Sequence, residues 1–242
     1  MLSNLCRYII DSCPLFEQHC QLCGQRATRH GLCEPCRQQL PRRQGHRCPI
    51  CQAPAASAQA PCGDCQGRHP AFSHLYSAYD YDYPLEGLIT RCKYAPSPAL
   101  QGMLASLMPQ ALLHAQSGAG YRLPDLVVPV PLAAARLRER GFNLPDALAR
   151  ALADTMRVRF DDQLCWRKRN TDSQAALNRR ARLRNVRDAF GVKRRCDGLY
   201  IAIVDDVAST GATLHSLAKT LRKSGAKQVD AWVLARAIAR QA

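Results

Sequence analysis

The sequence predicts an α/β protein built on a parallel sheet and preceded by a small cysteine-rich module. Within residues 72–242, short β-branched apolar runs alternate with stretches of helical periodicity, which is typical of a parallel sheet with crossover helices. Four CxxC pairs lie between residues 20 and 65. We therefore predict two domains: residues 1–67, with a short N-terminal helix and the cysteine module, and residues 68–242, with the sheet.

The composition indicates an anionic partner and a reducing compartment. The chain of 242 residues carries 34 Lys and Arg against 19 Asp and Glu, a net charge of +15 that favours nucleic acid or a polyphosphate. No apolar run reaches the ~18 residues of a transmembrane helix, and the start lacks the pattern of a signal peptide. We expect no membrane association and a cytoplasmic location, where clustered cysteines are usually bound to metal.

The cysteine module has the spacing of a zinc-binding fold. Each CxxC pair forms a tight knuckle that offers two thiolates, and two knuckles complete a tetrahedral site for Zn²⁺. Sequential pairing gives two sites, and a crossed pairing satisfies the same spacing. Because four cysteines fill each site, both zinc ions are expected to be structural. The predicted ligands are Cys20, Cys23, Cys33, Cys36, Cys48, Cys51, Cys62 and Cys65.

The elements of the second domain follow in order. Residues 72–83 are rich in aromatic side chains and predict a strand, or alternatively a stacking platform for bases. Two helices are expected next, one over residues 85–94 and one over residues 100–114. A strand over residues 125–131 and a helix from Leu144 follow, and a strand over residues 228–235 comes near the end.

The stretch from Tyr200 to Leu214 is the most informative part of the chain. A buried strand over Ile201–Val204 leads into two acids, Asp205 and Asp206, and a helix is expected from Leu214 to Ser224. The small residues between them present backbone N–H groups and hydroxyls at a helix N-terminus, which suits a phosphate, while the acids suit the hydroxyls of a sugar. The loop comprises Ala208, Ser209, Thr210, Gly211, Ala212 and Thr213.

Two further stretches are strongly basic. Arg136, Arg140 and Gly141 follow the strand of residues 125–131 and predict a second anion site, although a solvated basic helix face has the same pattern. Residues 167–195 hold eleven basic and two acidic residues, so this segment supplies much of the positive charge. Such a segment is able to bind nucleic-acid phosphates or to close over a phosphorylated ligand.

Several motifs together resemble a known family. The stretch IVDDVASTGAT resembles the phosphoribosyl-pyrophosphate (PRPP) motif of type I phosphoribosyltransferases, although its first acid, often Glu there, is Asp205 here. More narrowly, VPVPL followed by RGFN, the spacing from Thr171 to Phe190 and the Lys93-Tyr94 pair resemble ComF/GntX proteins of bacterial competence and DNA utilisation, which carry a double zinc ribbon.

The resemblance implies a type I phosphoribosyltransferase-like fold and a role for each motif. Asp205 and Asp206 would hold the ribose hydroxyls of Mg²⁺-bound PRPP, and the 208–213 loop would hold its 5′-phosphate. The pyrophosphate would lie on Arg136, Arg140 and Gly141. A mobile basic loop would close over the ligand with Arg169, Thr171, Gln174, Arg182 and Asn185.

The residues, together with what the resemblance implies, leave three functions open. The first is a PRPP-binding protein that acts in DNA uptake or utilisation, binds single-stranded DNA and works with competence or recombination proteins. The second is an active phosphoribosyltransferase in nucleotide salvage. The third is a regulator that senses PRPP, which, unlike the first, would not bind DNA.

Overall fold

The computed structural model describes residues 19–27, 31–67, 69–115, 122–168 and 188–237. The expected N-terminal helix and most of the basic segment lie outside these residues. The strands are β1 (Leu75–Asp80), β2 (Leu126–Pro129), β3 (Arg159–Phe160), β4 (Cys165–Arg167), β5 (Phe190–Val192), β6 (Tyr200–Ala208) and β7 (Gln228–Arg236). The helices are α1 (Glu34–Gln38), α2 (Gly63–Gly67), α3 (Leu85–Tyr94), α4 (Pro98–Ala115), α5 (Ala134–Arg140), α6 (Leu144–Met156) and α7 (Ala212–Lys223).

The main sheet is parallel throughout, as the sequence predicts. Its five strands lie in the order β1-β7-β6-β2-β3, and each neighbouring pair is parallel. The central strand β6 pairs with β7 over most of its length, from Tyr200 to Ala208. A separate antiparallel pair, β4 and β5, brings Trp166 opposite Gly191. This pair was not expected from the sequence.

The sheet separates two apolar cores. Alternate side chains of a strand point to opposite faces, so Ala202 and Val204 enter one core while Ile201 and Ile203 enter the other. Helices α4 and α6 cover the first face and bury Trp232 of β7. Helix α7 covers the second face with apolar residues at helical spacing, including Leu214, Leu217 and Leu221.

The cysteine module packs against both cores. Cys20, Leu32 and Cys36 join the core of the first face, and Cys48 and Cys51 join the core of the second face. The backbone N–H of Leu75, at the start of β1, donates to the carbonyl of Ile50. The module therefore lies against the β1 edge of the sheet. The domain boundary at Gly67, where α2 ends, stays a prediction.

None of the helices in the described part of the chain combines the length and apolar character that a membrane span requires.

Candidate functional site

A cavity of about 310 Å³ lies beyond the carboxyl ends of β2 and β6. This edge is where open parallel sheets usually bind ligands. The loop after β2, helix α5, the end of β6 and the start of α7 supply most of its wall, and α3 and β4 contribute one basic residue each. We call it the central cavity; its charged lining residues are Lys93, Arg136, Arg140, Arg167, Asp205 and Asp206.

The acidic pair, Asp205 and Asp206, is held by Lys93. The Lys93 Nζ atom lies 2.7 Å from Asp206 Oδ2, and both side chains are mostly buried. Burial alone would lower the pKa of Lys93, but the carboxylates of Asp206 and Asp205 outweigh it and the pKa is raised. Burial, and then the adjacent Asp206 carboxylate, raise the pKa of Asp205. The two adjacent carboxylates thus repel each other, and the single positive charge of Lys93 offsets only part of their negative charge.

The backbone orients both carboxylates. The N–H of Asp206 donates to Asp205 Oδ1 at 2.9 Å, and the N–H of Val207 donates to Asp206 Oδ1 at 2.7 Å. Both acids lie within β6, which pairs with β7 as far as Ala208 rather than ending at Val204 as the sequence suggested. A strand position is more rigid than a loop position, and this rigidity favours a preformed binding site.

The 208–213 loop turns between two cavities. Ser209 and Thr213 line the central cavity, while Ala208 is buried at the end of β6. Thr210, Gly211 and Ala212 line a smaller cavity of about 130 Å³, whose opposite wall includes Cys51 and Cys65. Gly211 has φ of 72°, a left-handed conformation that glycine adopts without strain, and α7 begins at the next residue. The loop is therefore a helix N-terminus, as predicted, and it faces the cysteine module across the smaller cavity.

Helix α5 carries the two arginines for which the sequence predicts a second anion site. Arg136 and Arg140 both line the central cavity, so the cavity holds positive charge as well as the negative charge of the acidic pair. Gly141 does not line the cavity but ends the helix with φ of 75°, and its N–H donates to the carbonyl of Leu137. Asn143 Nδ2 donates to the carbonyl of Val130 at 3.2 Å, which ties the segment after α5 back to the end of β2.

Only the ends of the basic segment, residues 167–168 and 188–195, belong to the described residues. The proposed mobile-loop residues Arg169, Thr171, Gln174, Arg182 and Asn185 lie outside the described residues. Arg167, from the start of the same basic segment, reaches the central cavity, where burial lowers its pKa and Asp205 opposes that change. Its role was not predicted, because a charge run does not show which of its members will be buried.

Arg236 was missed by the sequence reasoning. It is the last residue of β7 and is buried, and its guanidinium donates to the carbonyls of Cys51 (3.0 Å) and Ala208 (2.8 Å). It also donates to the carbonyls of Ser209 and Ala237. One side chain thus joins the second cysteine cluster to the 208–213 loop. No sequence signal distinguishes it from the other basic residues near the end of the chain.

The eight predicted cysteines form two clusters in sequential pairing. Within each cluster every Sγ atom lies within 4.8 Å of the others: Cys20, Cys23, Cys33 and Cys36 form the first cluster, and Cys48, Cys51, Cys62 and Cys65 form the second. The Sγ atoms of Cys23 and Cys33, and those of Cys51 and Cys62, are 3.6 Å apart. Tetrahedral Zn–S bonds of about 2.3 Å require sulfur atoms about 3.8 Å apart, so both clusters fit zinc.

The environment favours the thiolate at the first cysteine of each cluster, whereas the pKa of the last cysteine is raised, by the neighbouring Cys33 thiol at Cys36 and by burial at Cys65. Burial acts to raise the pKa of Cys20, but backbone N–H donors from both knuckles of the cluster, at Cys23, Cys33 and Leu22, outweigh it and lower the pKa to about 6. Cys48 occupies the same position in the second cluster, and its pKa is lowered to about 7 for the same reasons. Backbone donors to metal-ligating sulfur are an ordinary part of such sites. Two clusters of four cysteines each are consistent with two structural zinc ions.

Comparison with known proteins gives one domain match and several full-length relatives. Residues 14–66 match a family described as the double zinc ribbon domain. The DNA utilization protein YhgH of Salmonella typhimurium is 37% identical over 221 residues, which cover 90% of this chain and 97% of that protein. Competence protein F of Haemophilus influenzae is 30% identical over 213 residues, covering 87% of this chain and 92% of that protein.

Among solved structures, the purine phosphoribosyltransferase of Pyrococcus horikoshii is 15% identical, with 56% of this chain and 81% of that chain covered and a TM-score of 0.32. The parallel strand order and the motif at the end of β6 agree with the fold class expected from the sequence. The full-length relatives, the double zinc ribbon and the two cysteine clusters agree with each other. The chain belongs to the ComF/GntX family of competence and DNA-utilisation proteins.

Proposed function

We propose that the chain binds PRPP or a related sugar phosphate in the central cavity and acts in DNA uptake or DNA utilisation, where it handles single-stranded DNA. One observation carries the first part: a single cavity at the carboxyl edge of the sheet combines the acidic pair, the hydroxyls of Ser209 and Thr213 and four basic side chains. The second part is supported by the names of the relatives and by the net charge of +15.

The chemistry of the cavity matches the two ends of such a ligand. Carboxylates accept hydrogen bonds from sugar hydroxyls, and the hydroxyls and N-terminal N–H groups of α7 donate to a terminal phosphate. Arg136 and Arg140 carry the planar donor arrays that suit a pyrophosphate. Asp205 and Asp206 are also the hard oxygen donors that Mg²⁺ prefers, so the residues fit a magnesium ion, which would neutralise part of the ligand charge.

Calorimetry with PRPP and Mg²⁺ tests the sugar-phosphate site. The double variant Asp205→Asn/Asp206→Asn removes the charged acceptors without changing their shape, and hydrogen bonds to charged groups suggest a loss of at least about tenfold in affinity. The double variant Asp154→Asn/Asp162→Asn, on exposed residues away from the cavity, is a charge-matched control that should bind as wild type. Wild-type protein that binds no PRPP contradicts this part of the proposal.

An active phosphoribosyltransferase in nucleotide salvage is the second candidate. Lys93, Arg136, Arg140 and Arg167 face one cavity with the acidic pair, and this charge would stabilise pyrophosphate as a leaving group. The test is pyrophosphate release from PRPP during incubation with each common nucleobase. Pyrophosphate release that requires one particular base, and that is lost in Asp205→Asn/Asp206→Asn, would favour the enzyme. If the protein binds PRPP but releases no pyrophosphate with any of the bases, the first proposal is favoured.

A further inference from the structure

A second cavity, of about 750 Å³, lies between the cysteine module and the sheet. One wall comes from the module, over residues 37–58, and the other from Ala78, Tyr79, Gln110 and Ala111 of β1 and α4. It shares no described lining residue with the central cavity. Four arginines lie along it, and we call it the arginine groove: Arg37, Arg42, Arg43 and Arg47.

Little negative charge balances these arginines. Among the described lining residues of the groove there is no carboxylate, although Asp80 lies behind Arg47, with Oδ2 2.6 Å from Arg47 Nη2. Glu34 is the other nearby acid; its Oε2 is 3.8 Å from Arg37 Nε, and it is 65% exposed. Four guanidinium groups thus face two carboxylates, one of which is loosely placed and solvated.

Neutral amides position two of the arginines. Arg37 Nη1 donates to Gln110 Oε1 at 3.1 Å, and Arg43 Nη1 donates to Gln52 Oε1. An amide fixes a guanidinium in place without cancelling its charge. Burial, and then the charge of Arg47, lower the pKa of Arg43, while Asp80 opposes this change. An anion in the groove would relieve the repulsion between these arginines.

Several buried donors in the groove have no hydrogen-bond partner within the described structure. They are Arg37 Nε and both Nε and Nη1 of Arg47, whose side chain is only 11% exposed. Native proteins leave few buried polar atoms unsatisfied, and those that remain often mark a site for an absent ion or ligand. One acceptor beside them, Asp80 Oδ1, is also unpaired, but the three donors on cationic groups outnumber it and favour a further acceptor with negative charge.

We propose that the arginine groove binds consecutive phosphates of a single-stranded nucleic acid. Guanidinium groups match the geometry of phosphate oxygens, and a groove of this volume is large for a single inorganic phosphate. Tyr79 lines the groove beside the arginines, and this combination of basic and aromatic side chains is typical of sites for single strands. The identity of the strand as DNA rests on the function proposed above, whereas the anion site follows from the groove itself.

The test is fluorescence anisotropy of a labelled oligothymidylate with the full chain. The double variant Arg42→Gln/Arg43→Gln should bind at least about tenfold more weakly, and its slope of log affinity against log salt should fall by about 1.4, which is about 0.7 for each single-strand phosphate that is no longer neutralised. Arg159→Gln/Lys223→Gln removes the same charge from exposed residues outside both cavities and should change affinity less than about twofold.

Two further measurements separate this inference from the proposed function. Zinc content and PRPP affinity should match wild type in Arg42→Gln/Arg43→Gln, which shows that folding and the central cavity are intact. If that variant binds the oligonucleotide with the wild-type affinity and salt slope, the groove is not the site, although the chain still binds DNA elsewhere. If wild-type protein binds no oligonucleotide, both the groove proposal and the DNA part of the proposed function fail, while PRPP binding is judged separately.

Competition with free nucleotides is the last measurement. If a nucleoside triphosphate displaces the labelled oligonucleotide at a lower concentration than unlabelled oligonucleotide does, and if oligonucleotide affinity does not depend on length, the groove is a nucleotide site. That result would overturn the strand proposal. Affinity that rises with oligonucleotide length, and a weak effect of nucleoside triphosphate, would support it.

Discussion

Lys93 is the residue on which the acidic pair most directly depends. Two carboxylates at consecutive positions repel each other, and burial makes their charge more costly. The Lys93 ammonium, 2.7 Å from Asp206, offsets part of that cost and extends into the same cavity. It therefore stabilises the fold and places a positive charge beside the proposed ligand.

Replacing Lys93 tests its contribution to the stability of the fold. We expect Lys93→Met to lower the free energy of unfolding by about 2 kcal/mol, less than the ~3–5 kcal/mol of a fully buried pair, because the side chain is 25% exposed. Lys93→Arg keeps the charge and should recover most of this loss. Denaturant unfolding measures the effect, and equal stability of Lys93→Met and wild type would show that solvent already screens the pair.

Gly211 offers a test of the loop conformation. Its φ of 72° is unfavourable for other residues, but a Cβ atom would meet only the Phe72 ring, at 3.9 Å, an ordinary contact. Gly198, with φ of 74° and open space around it, is a matched control. Both Gly→Ala variants should lose about 1 kcal/mol in denaturant unfolding, and only Gly211→Ala should bind PRPP more weakly in calorimetry. Weakened PRPP binding in both variants would contradict a local role for the loop.

At the level of elements, strand β7 is linked to two neighbouring segments by its last side chain, Arg236. Arg236 donates to carbonyls of the second cysteine cluster and of the 208–213 loop, so the end of one strand fixes the loop that follows its neighbour. In the register of the sheet, Arg236 lies beside Asp80 of β1, which holds Arg47 of the arginine groove. Adjacent strand ends thus support both proposed binding sites.

Substitution of Arg236 tests this support. Arg236→Lys keeps the positive charge but cannot reproduce a planar group that donates to several carbonyls at once. We expect a loss of about 2–3 kcal/mol in the free energy of unfolding and weaker PRPP binding, with zinc content unchanged. Denaturant unfolding, calorimetry and metal analysis measure these effects. PRPP binding at wild-type strength in a destabilised Arg236→Lys protein would show that the loop does not need this contact.

The elements that the sequence predicts are those with a large buried face. Strands β1, β2, β6 and β7 and helices α3, α4, α6 and α7 all lie within a few residues of the predicted ranges. Helix α5 was not clearly predicted, because none of its residues is buried and it therefore has no apolar periodicity. The short strands β4 and β5 were missed, because three residues within a basic segment carry too little pattern.

In the candidate site, too, only residues that form a local sequence pattern could be predicted. Motif residues such as Asp206 and Thr213 are close together in the chain, so their pattern is visible in the sequence. Lys93 and Arg236 reach the site from distant segments, and only the strand order brings them there. The arginine groove is formed by the cysteine module together with β1 and α4, and it could not be anticipated from either part alone.

Across the whole molecule, the two cysteine clusters have different neighbours. Residues of the first cluster pack with α4 and α6, on the face of Trp232. Residues of the second cluster pack with α7 and reach the 208–213 loop through Arg236 and through the small cavity beside Gly211. The N–H of Ala71, just after the module, also donates to His215 Nδ1 on α7 at 3.1 Å. Zinc in the second cluster should therefore matter more to the sugar-phosphate site.

Removing one zinc at a time tests this asymmetry. Cys33 and Cys62 are both half-buried members of their clusters, so Cys33→Ser and Cys62→Ser form a matched pair. Each variant should lose one zinc ion by metal analysis, because a tetrahedral site that loses a thiolate binds zinc far more weakly. We expect Cys62→Ser to weaken PRPP binding at least about tenfold, the cost of about one charged hydrogen bond, since the Cys51 carbonyl that anchors Arg236 would shift.

The control is Cys33→Ser, which should keep PRPP affinity close to wild type, since the first cluster has no contact with the loop in the described structure. Both variants should weaken oligonucleotide binding, because Arg37 follows the first cluster directly and Arg47 precedes the second. Equal loss of PRPP affinity in the two variants would mean that zinc acts through general stability of the module. A loss confined to Cys62→Ser would show that the second zinc holds the phosphate-facing loop in place through Arg236.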